Sequence, residues 1–480
     1  MKIGIDFGTS YSAAAFASDG RVRKIKFGSD TQFRTAVYFP EAIPTLENFE
    51  MSPQLQKMAD DLFRRAKSDQ SRSILEAQSR IADAMKEKDS LKRAKRLELI
   101  AVPRERSDDE LRKDIVRTVR QQWLEDETRR ARTSVAQLGN TVFGDEAIET
   151  FLAEGTGHLI QSPKSMLGFD FNARARSTVV DITANILEHI RSMATRQLKR
   201  RVRQAVVGRP VQFRSSLGDK GNEQAVALLQ EAAIAAGFDA IEFMEEPIAA
   251  AMNFHRKSPD RLRALILDVG GGTTDVAYAE LGGSRRPKIL SSWGLPKGGS
   301  DVDVALSLES FMPHFGSSAS AVPAHHYYEA AVVQDLDRQR KFLEHSYENV
   351  PRPFGPRLRR LQVTGMTTRL NRAVERSKIH LSDHEDCSIR IGYIEKNLAV
   401  RTNRVALNEA TRRFRADMKK LLADVSQSLD RAPDRLFLTG GMSQSPYVIE
   451  LAQACFPSSR IVRGDAAYGV VSGLALAAST

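Results

Sequence analysis

Two short segments constrain this chain more than anything else in it: Gly4-Ile5-Asp6-Phe7-Gly8-Thr9-Ser10 near the start, and Leu265-Ile266-Leu267-Asp268-Val269-Gly270-Gly271-Gly272-Thr273-Thr274-Asp275 past the middle. Each is an apolar strand pattern that ends in a carboxylate and turns at once through glycine and hydroxyl residues. Glycine lets a backbone approach a polyphosphate, amides and hydroxyls donate to phosphate oxygens, and an aspartate can hold the water shell of a magnesium ion. Alone, the first segment could equally be an everyday hairpin. The second does not read as a flexible linker, because strand pattern resumes at once over Val276 to Ala279. Recurrence of the same grammar predicts a duplicated, two-lobed α/β architecture that grips one nucleotide from both sides.

A length of 480 residues suits two lobes or a few domains. No apolar run approaches the roughly 20 residues of a membrane span, and Met1 to Phe7 enters a strand without a basic, apolar leader, so a soluble, cytoplasmic protein is expected. Cys387 and Cys455 provide neither a disulfide framework nor metal-type spacing, and both are expected to be reduced, buried and structural. The net charge of +11 raises the question of a nucleic-acid partner. Between Arg64 and Arg132, however, 20 Lys/Arg are interspersed with 14 Asp/Glu. Such mixing reads as a solvated helical face, which argues against nucleic acid.

Along the chain, strands over Lys2–Asp6, Ser12–Phe16 and Val22–Phe27 form an opening meander. Residues 48–137 shift to Ala, Leu, Arg, Lys and Glu, broken at Pro103, and read as a helical insertion. Helices at Val179–Arg200 and Glu223–Gly237 then alternate with strands at Gln204–Gly208 and Leu265–Val269, which argues for α/β layers. Phe311–Arg360 reads as irregular. Helices are expected at Thr368–Leu381, Asn408–Ser428 and Gly469–Ala478, with a strand at Arg435–Thr439. No G-x-x-x-x-G-K-[ST], H-E-x-x-H or G-x-S-x-G occurs, and His325 and His326 show no spaced ligand partners and read as loop residues.

In order and spacing the motifs resemble the actin-like ATPase superfamily, and within it the nucleotide-binding domain of the seventy-kilodalton heat-shock chaperones. The likeness rests on the two loops and on Val142–Ala147, Pro163–Gly168, Ala205–Val211, Glu245–Ala251, Lys297–Asp303, Glu375–Ser382, Gly440–Pro446 and Asp465–Gly469. It is nearest to short bacterial chaperone-like proteins of the YegD type, and leaves out residues 48–137 and 311–360. It implies duplicated ribonuclease-H-like lobes: lobe I from 1–47 and 138–260, with 462–480 returning to it, a helical insertion at 48–137 in upper lobe I, and lobe II from 261–461, its upper part at about 298–402.

The resemblance also implies roles. Lys164, Glu246, Asp268, Thr273 and Asp6 form the catalytic set, and Asp6 and Asp268 hold Mg2+ through water. ATP or ADP is expected to contact Gly8, Thr9, Ser10, Tyr11, Gly270, Gly271, Gly272, Thr273, Gly298, Gly299, Glu375, Lys378, Ser382, Gly440, Gly441 and Asp465. Two arginines that sandwich adenine in the family are replaced by Ile379 and Gln444, which removes cation–π stacking of about 0.5–2 kcal/mol each. With the family's closing segment followed only by residues to Thr480, a chain lacking the family's substrate-binding domain is expected. The expected activity is therefore slow, Mg-dependent ATP hydrolysis that drives a conformational switch. A protein client or partner would bind the nucleotide domain itself or residues 48–137. The alternative is a non-catalytic, nucleotide-bound scaffold of the same fold.

Overall fold

The protein is described from a computed structural model, which covers residues 1–40, 49–135, 141–285, 287–464 and 467–479. The chain divides into two compact units, Met1–Pro40 with Asn140–Thr480, and Glu41–Gly139.

The larger unit contains two sheets that share one connection pattern. In the first, Lys2–Phe7 pairs antiparallel with Tyr11–Ser18 and parallel with Gln204–Arg209; Arg21–Lys24 and Ala240–Glu245 extend the two sides. In the second, Leu262–Val269 pairs antiparallel with Thr274–Leu281 and parallel with Arg435–Thr439; Lys288–Leu295 and Arg460–Arg463 complete it. The central strand Leu262–Val269 is an almost unbroken apolar run buried on both faces, as a strand with neighbours on both sides and layers above and below must be. The equivalent registers differ at one position: Asp268 lies opposite Asp275, whereas Asp6 lies opposite Ala13.

Two helices join the sheets at their base. Glu246–Lys257 starts with Pro247 in its first turn, where the missing N–H costs nothing, and buries Ala249, Ala250 and Ala251 completely. Gly469–Ala478 is apolar on nearly every side. Its Leu474 and Val470 share a core with Val206, Ile266 and Phe437, and its Val471 and Ala475 pack on Ala13 and Ala15. Burial all round explains why a helix of this composition needs no polar face.

Several expected elements differ in extent. The helices run Ala173–Leu198, Asp219–Ala235 and Met366–Asp383, and the expected helix Asn408–Ser428 is two, Arg404–Ala410 and Arg412–Ser428. Phe311–Arg360 is not irregular. It folds as short helices, Ala324–Ala331, Leu336–Glu344 and Phe354–Leu361, over the buried rings of Phe311, Phe315, Tyr327, Phe342 and Tyr347. Helices of two turns are too brief for a 3.6-residue period to show in sequence. His325 and His326 are accordingly helical, not in a loop, and meet His345 across that layer. Cys387 and Cys455 are free and half-buried at the edge of the same core, less enclosed than expected.

The smaller unit is helical. Pro53–Met85, capped by the Ser52 hydroxyl, packs against Asp108–Val135, with Ser90–Glu98 between them in sequence. Among its described residues Ala59, Ala77, Ala84, Leu111, Val119 and Leu124 are buried and apolar, and Trp123 meets Phe49 edge-on at 5.4 Å. Among the described residues no helix is long and apolar enough to cross a membrane.

Candidate functional site

The two Gly/hydroxyl loops, 262 positions apart in sequence (Asp6 to Asp268), face each other across the cleft between the sheets. A β-carbon at Gly271 would collide with Ser10 Oγ, and one at Gly272 with the side chain of Thr9, so only glycine permits this approach. Behind them Gly440, with φ +82, takes a left-handed turn in which a side chain would strike the Asp268 carboxylate and the Val269 carbonyl. The resulting cavity measures about 370 Å³, within the usual range for a small-molecule site.

At its floor Lys164, from the short helical turn Pro163–Met166, forms an ion pair with Glu246 at the start of the base helix. Lys164 is 5% exposed and Glu246 8%. Around this pair lie Asp6, Asp268 and Asp275, each at the loop end of a central or neighbouring strand. Burial opposes a charged Lys164, but the carboxylates of Glu246 and Asp6 outweigh it and hold its pKa above the ordinary lysine value. Burial, and then Glu246, push Asp6 up to about 7, and the same two causes bring Asp275 to about 7. Asp268 is raised well above a normal carboxylate, by burial first and then by Glu246, Asp275 and Asp6. Asp275 is further tied across the lobes, its Oδ1 accepting the Val211 N–H at 2.7 Å.

Four acids around one ammonium leave a buried excess of negative charge, and their donor atoms are all carboxylate oxygens. That is the chemistry of a hard divalent cation such as Mg2+, bound by one or two carboxylates and water. A metal there would offset both the burial and the mutual repulsion that raise these pKa values. The loop amides and hydroxyls next to it suit phosphate oxygens.

The far end of the cleft is built by the helix Met366–Asp383. Glu375 pairs with Arg34 at 3.1 Å, and Lys378 with Asp303 at 2.8 Å, all four side chains less than a fifth exposed. Arg34 also reaches Asp145 at 3.1 Å, as does Arg372, so a four-membered charge network bridges the two lobes. Burial raises Asp303 to about 6 even though Lys378 draws it down.

The cavity is lined by Asp6, Gly8, Thr9, Ser10, Tyr11, Lys164, Glu246, Asp268, Gly270, Gly271, Gly272, Thr273, Gly299, Glu375, Lys378, Gly440 and Gly441. Two expected contacts are not among its lining. Gly298 caps the helix Gly299–Leu306, giving its N–H to Asp301 at 2.9 Å, and the Ser382 hydroxyl turns back to the Lys378 carbonyl at 3.5 Å. Asp465 lies outside the described residues. Ile379 and Gln444 do line the cavity, where the resemblance leads one to look for arginines. Sequence reading missed Gln32 in the lining, Asp275 behind the floor and Arg34 in the bridge. Asp275 carried a signal, since it ends the repeated loop; the other two meet the site only through long-range folding.

A family model for the Hsp70 protein matches residues 108–321, from the last helix of the smaller unit to the beginning of the short-helix layer. Chaperone protein DnaK of Thermosipho melanesiensis is 25% identical over 362 residues, 72% of this chain and 52% of the relative. DnaK of Cenarchaeum symbiosum is 27% identical over 278 residues, 56% of this chain and 35% of the relative. Over these stretches the chain is similar to the Hsp70 family. Its duplicated sheets are the actin-like fold of the Hsp70 ATPase domain. The match reaches into residues 108–137 and 311–321, both of which the sequence reading had left outside the resemblance. The chain spans about half or less of the length of these curated relatives.

Proposed function

We propose that this chain binds ATP with Mg2+ in the cleft, hydrolyses it slowly, and uses the change in lobe closure as a switch read by a protein partner. The observation that carries the reading is the apposition of the two glycine loops over a buried lysine ringed by four acids. Phosphoryl transfer needs positioning and electrostatics more than covalent chemistry. Lys164 would neutralise charge developing on the terminal phosphate. Thr273, with the glycine-loop amides, would orient the phosphates. Asp268, returned to its carboxylate form by the bound cation, and Glu246 would orient the attacking water and take its proton. Mg2+, when bound near Asp6 and Asp268, would supply charge neutralisation to the phosphates. Lobes that bind ATP and ADP with different affinity when closed and open would couple the reaction to shape. The proposed partner surface is the charged helical segment 48–137.

The test is calorimetry and phosphate release with Mg-ATP. Wild type should bind and turn over, while Lys164→Ala and Asp268→Asn should lose roughly 100-fold or more in turnover. Unchanged turnover in both variants sinks the reading. One observation favours the scaffold alternative: Ile379 and Gln444 leave the base end of the cleft without cation–π partners at those positions. Binding without any phosphate release would decide for it.

A further inference from the structure

The short-helix layer of the second lobe brings together three imidazoles that the nucleotide cleft does not use. His325 and His326 occupy the first turn of Ala324–Ala331, and His345 follows Leu336–Glu344. One ligand nitrogen from each lies within 4.8 Å of the others. The rings crowd, with centroids 3.8 Å apart for His326 and His345 and 4.3 Å for His325 and His326.

Two of the rings are also held from behind. His345 Nε2 meets the Glu329 carboxylate at 2.9 Å, and His326 Nδ1 meets the Tyr347 hydroxyl at 3.0 Å. Nε2–H donated to Glu329 leaves Nδ1 as the lone-pair nitrogen of His345. Nδ1–H donated to Tyr347 likewise leaves Nε2 on His326. A carboxylate or oxygen that fixes the tautomer of a ligating histidine is the usual support of a metal-bound imidazole. Glu329 is only 7% exposed, so the carboxylate that holds His345 is itself fixed within the layer.

The geometry points to a transition-metal site formed by His325, His326 and His345, taking Zn2+, with Glu329 and Tyr347 as orienting partners. Imidazole donors without a ligating carboxylate select Zn2+, Cu2+ or Ni2+ over Mg2+ or Ca2+, so this site is chemically distinct from the acidic floor of the cleft. Zn–N distances of about 2.0–2.1 Å require the three nitrogens to close to roughly 3.4 Å, a movement that side-chain rotation supplies. Water completes the fourth position. The bound ion ties the start of one short helix to the end of the next, adding a crosslink to the side-chain hydrogen bonds of Gln339 and Gln362 that already join the layer.

The experiment uses the full chain without a polyhistidine tag, stripped by a chelator. Zn2+ is titrated by calorimetry, and Co2+ is followed by visible absorption, whose intensity reports tetrahedral coordination. Wild type should bind one Zn2+ per chain with micromolar or better affinity. His326→Ala/His345→Ala should abolish that binding, and Glu329→Gln should weaken it about 10–100-fold. If the double variant does not fold, His325→Gln alters an exposed side chain and should still cost at least about tenfold. The proposal is overturned if wild type binds no Zn2+ in that range, or if the variants bind it as wild type does.

Discussion

The loop apposition can be tested at Gly272. Its φ is not among the positive values, so Gly272→Ala is tolerated by the backbone and acts through sterics alone. The new methyl would lie 2.5 Å from Thr9 Oγ1, 3.1 Å from Cγ2 and 3.2 Å from Cβ. Because threonine is branched at Cβ, rotating it replaces one offending atom by the other. Relief therefore requires the loops to separate, at an overpacking cost of about 1–3 kcal/mol. That cost falls on the closed cleft, so Mg-ATP affinity should drop roughly 5- to 150-fold while the melting temperature of the free protein changes little. Thr9→Ala removes both γ-atoms. By itself it should lower affinity through the lost hydroxyl; combined with Gly272→Ala it should bind no worse than Thr9→Ala alone. The measurement is a calorimetric double-mutant cycle. Wild-type-like affinity in Gly272→Ala, or simple additivity of the two changes, would falsify the apposition.

Three further outcomes follow from the same site. Glu375→Ala breaks the Arg34 bridge between the lobes, and should speed nucleotide release by about 5- to 50-fold in stopped-flow displacement, an effect Arg34→Ala should reproduce. Ile379→Arg restores a guanidinium at the cavity wall and should tighten adenine nucleotides about 2- to 30-fold in calorimetry, with little change for inorganic triphosphate. Asp6 and Asp275 titrate near 7 in the fold and near 3.8 as free side chains, so the stability they contribute is complete below about 3.8 and lost as pH rises through about 7. The metal-free, nucleotide-free protein should thus melt at falling temperature across that window, and millimolar Mg2+ should raise the melting temperature more at pH 8 than at pH 6. A gain independent of pH speaks against these carboxylates as the cation's donors.

What could be read from sequence was local. A strand that ends in aspartate and turns through glycine states its own geometry, and when it recurs the two-lobed fold follows, because each motif needs only its immediate neighbours. Lys164 and Glu246 were readable for a related reason, since each sits in a short segment whose order of residues is itself informative. Tertiary structure alone decided the rest. The charge excess of the floor depends on Asp275 standing opposite Asp268, a register between strands. The Arg34 bridge joins residues 341 positions apart in the chain. His345 completes a cluster with His325 and His326 only because two brief helices fold back over an aromatic core. Long-range proximity leaves no periodicity in the chain, and buried charge acquires its shifted pKa only when the neighbours arrive.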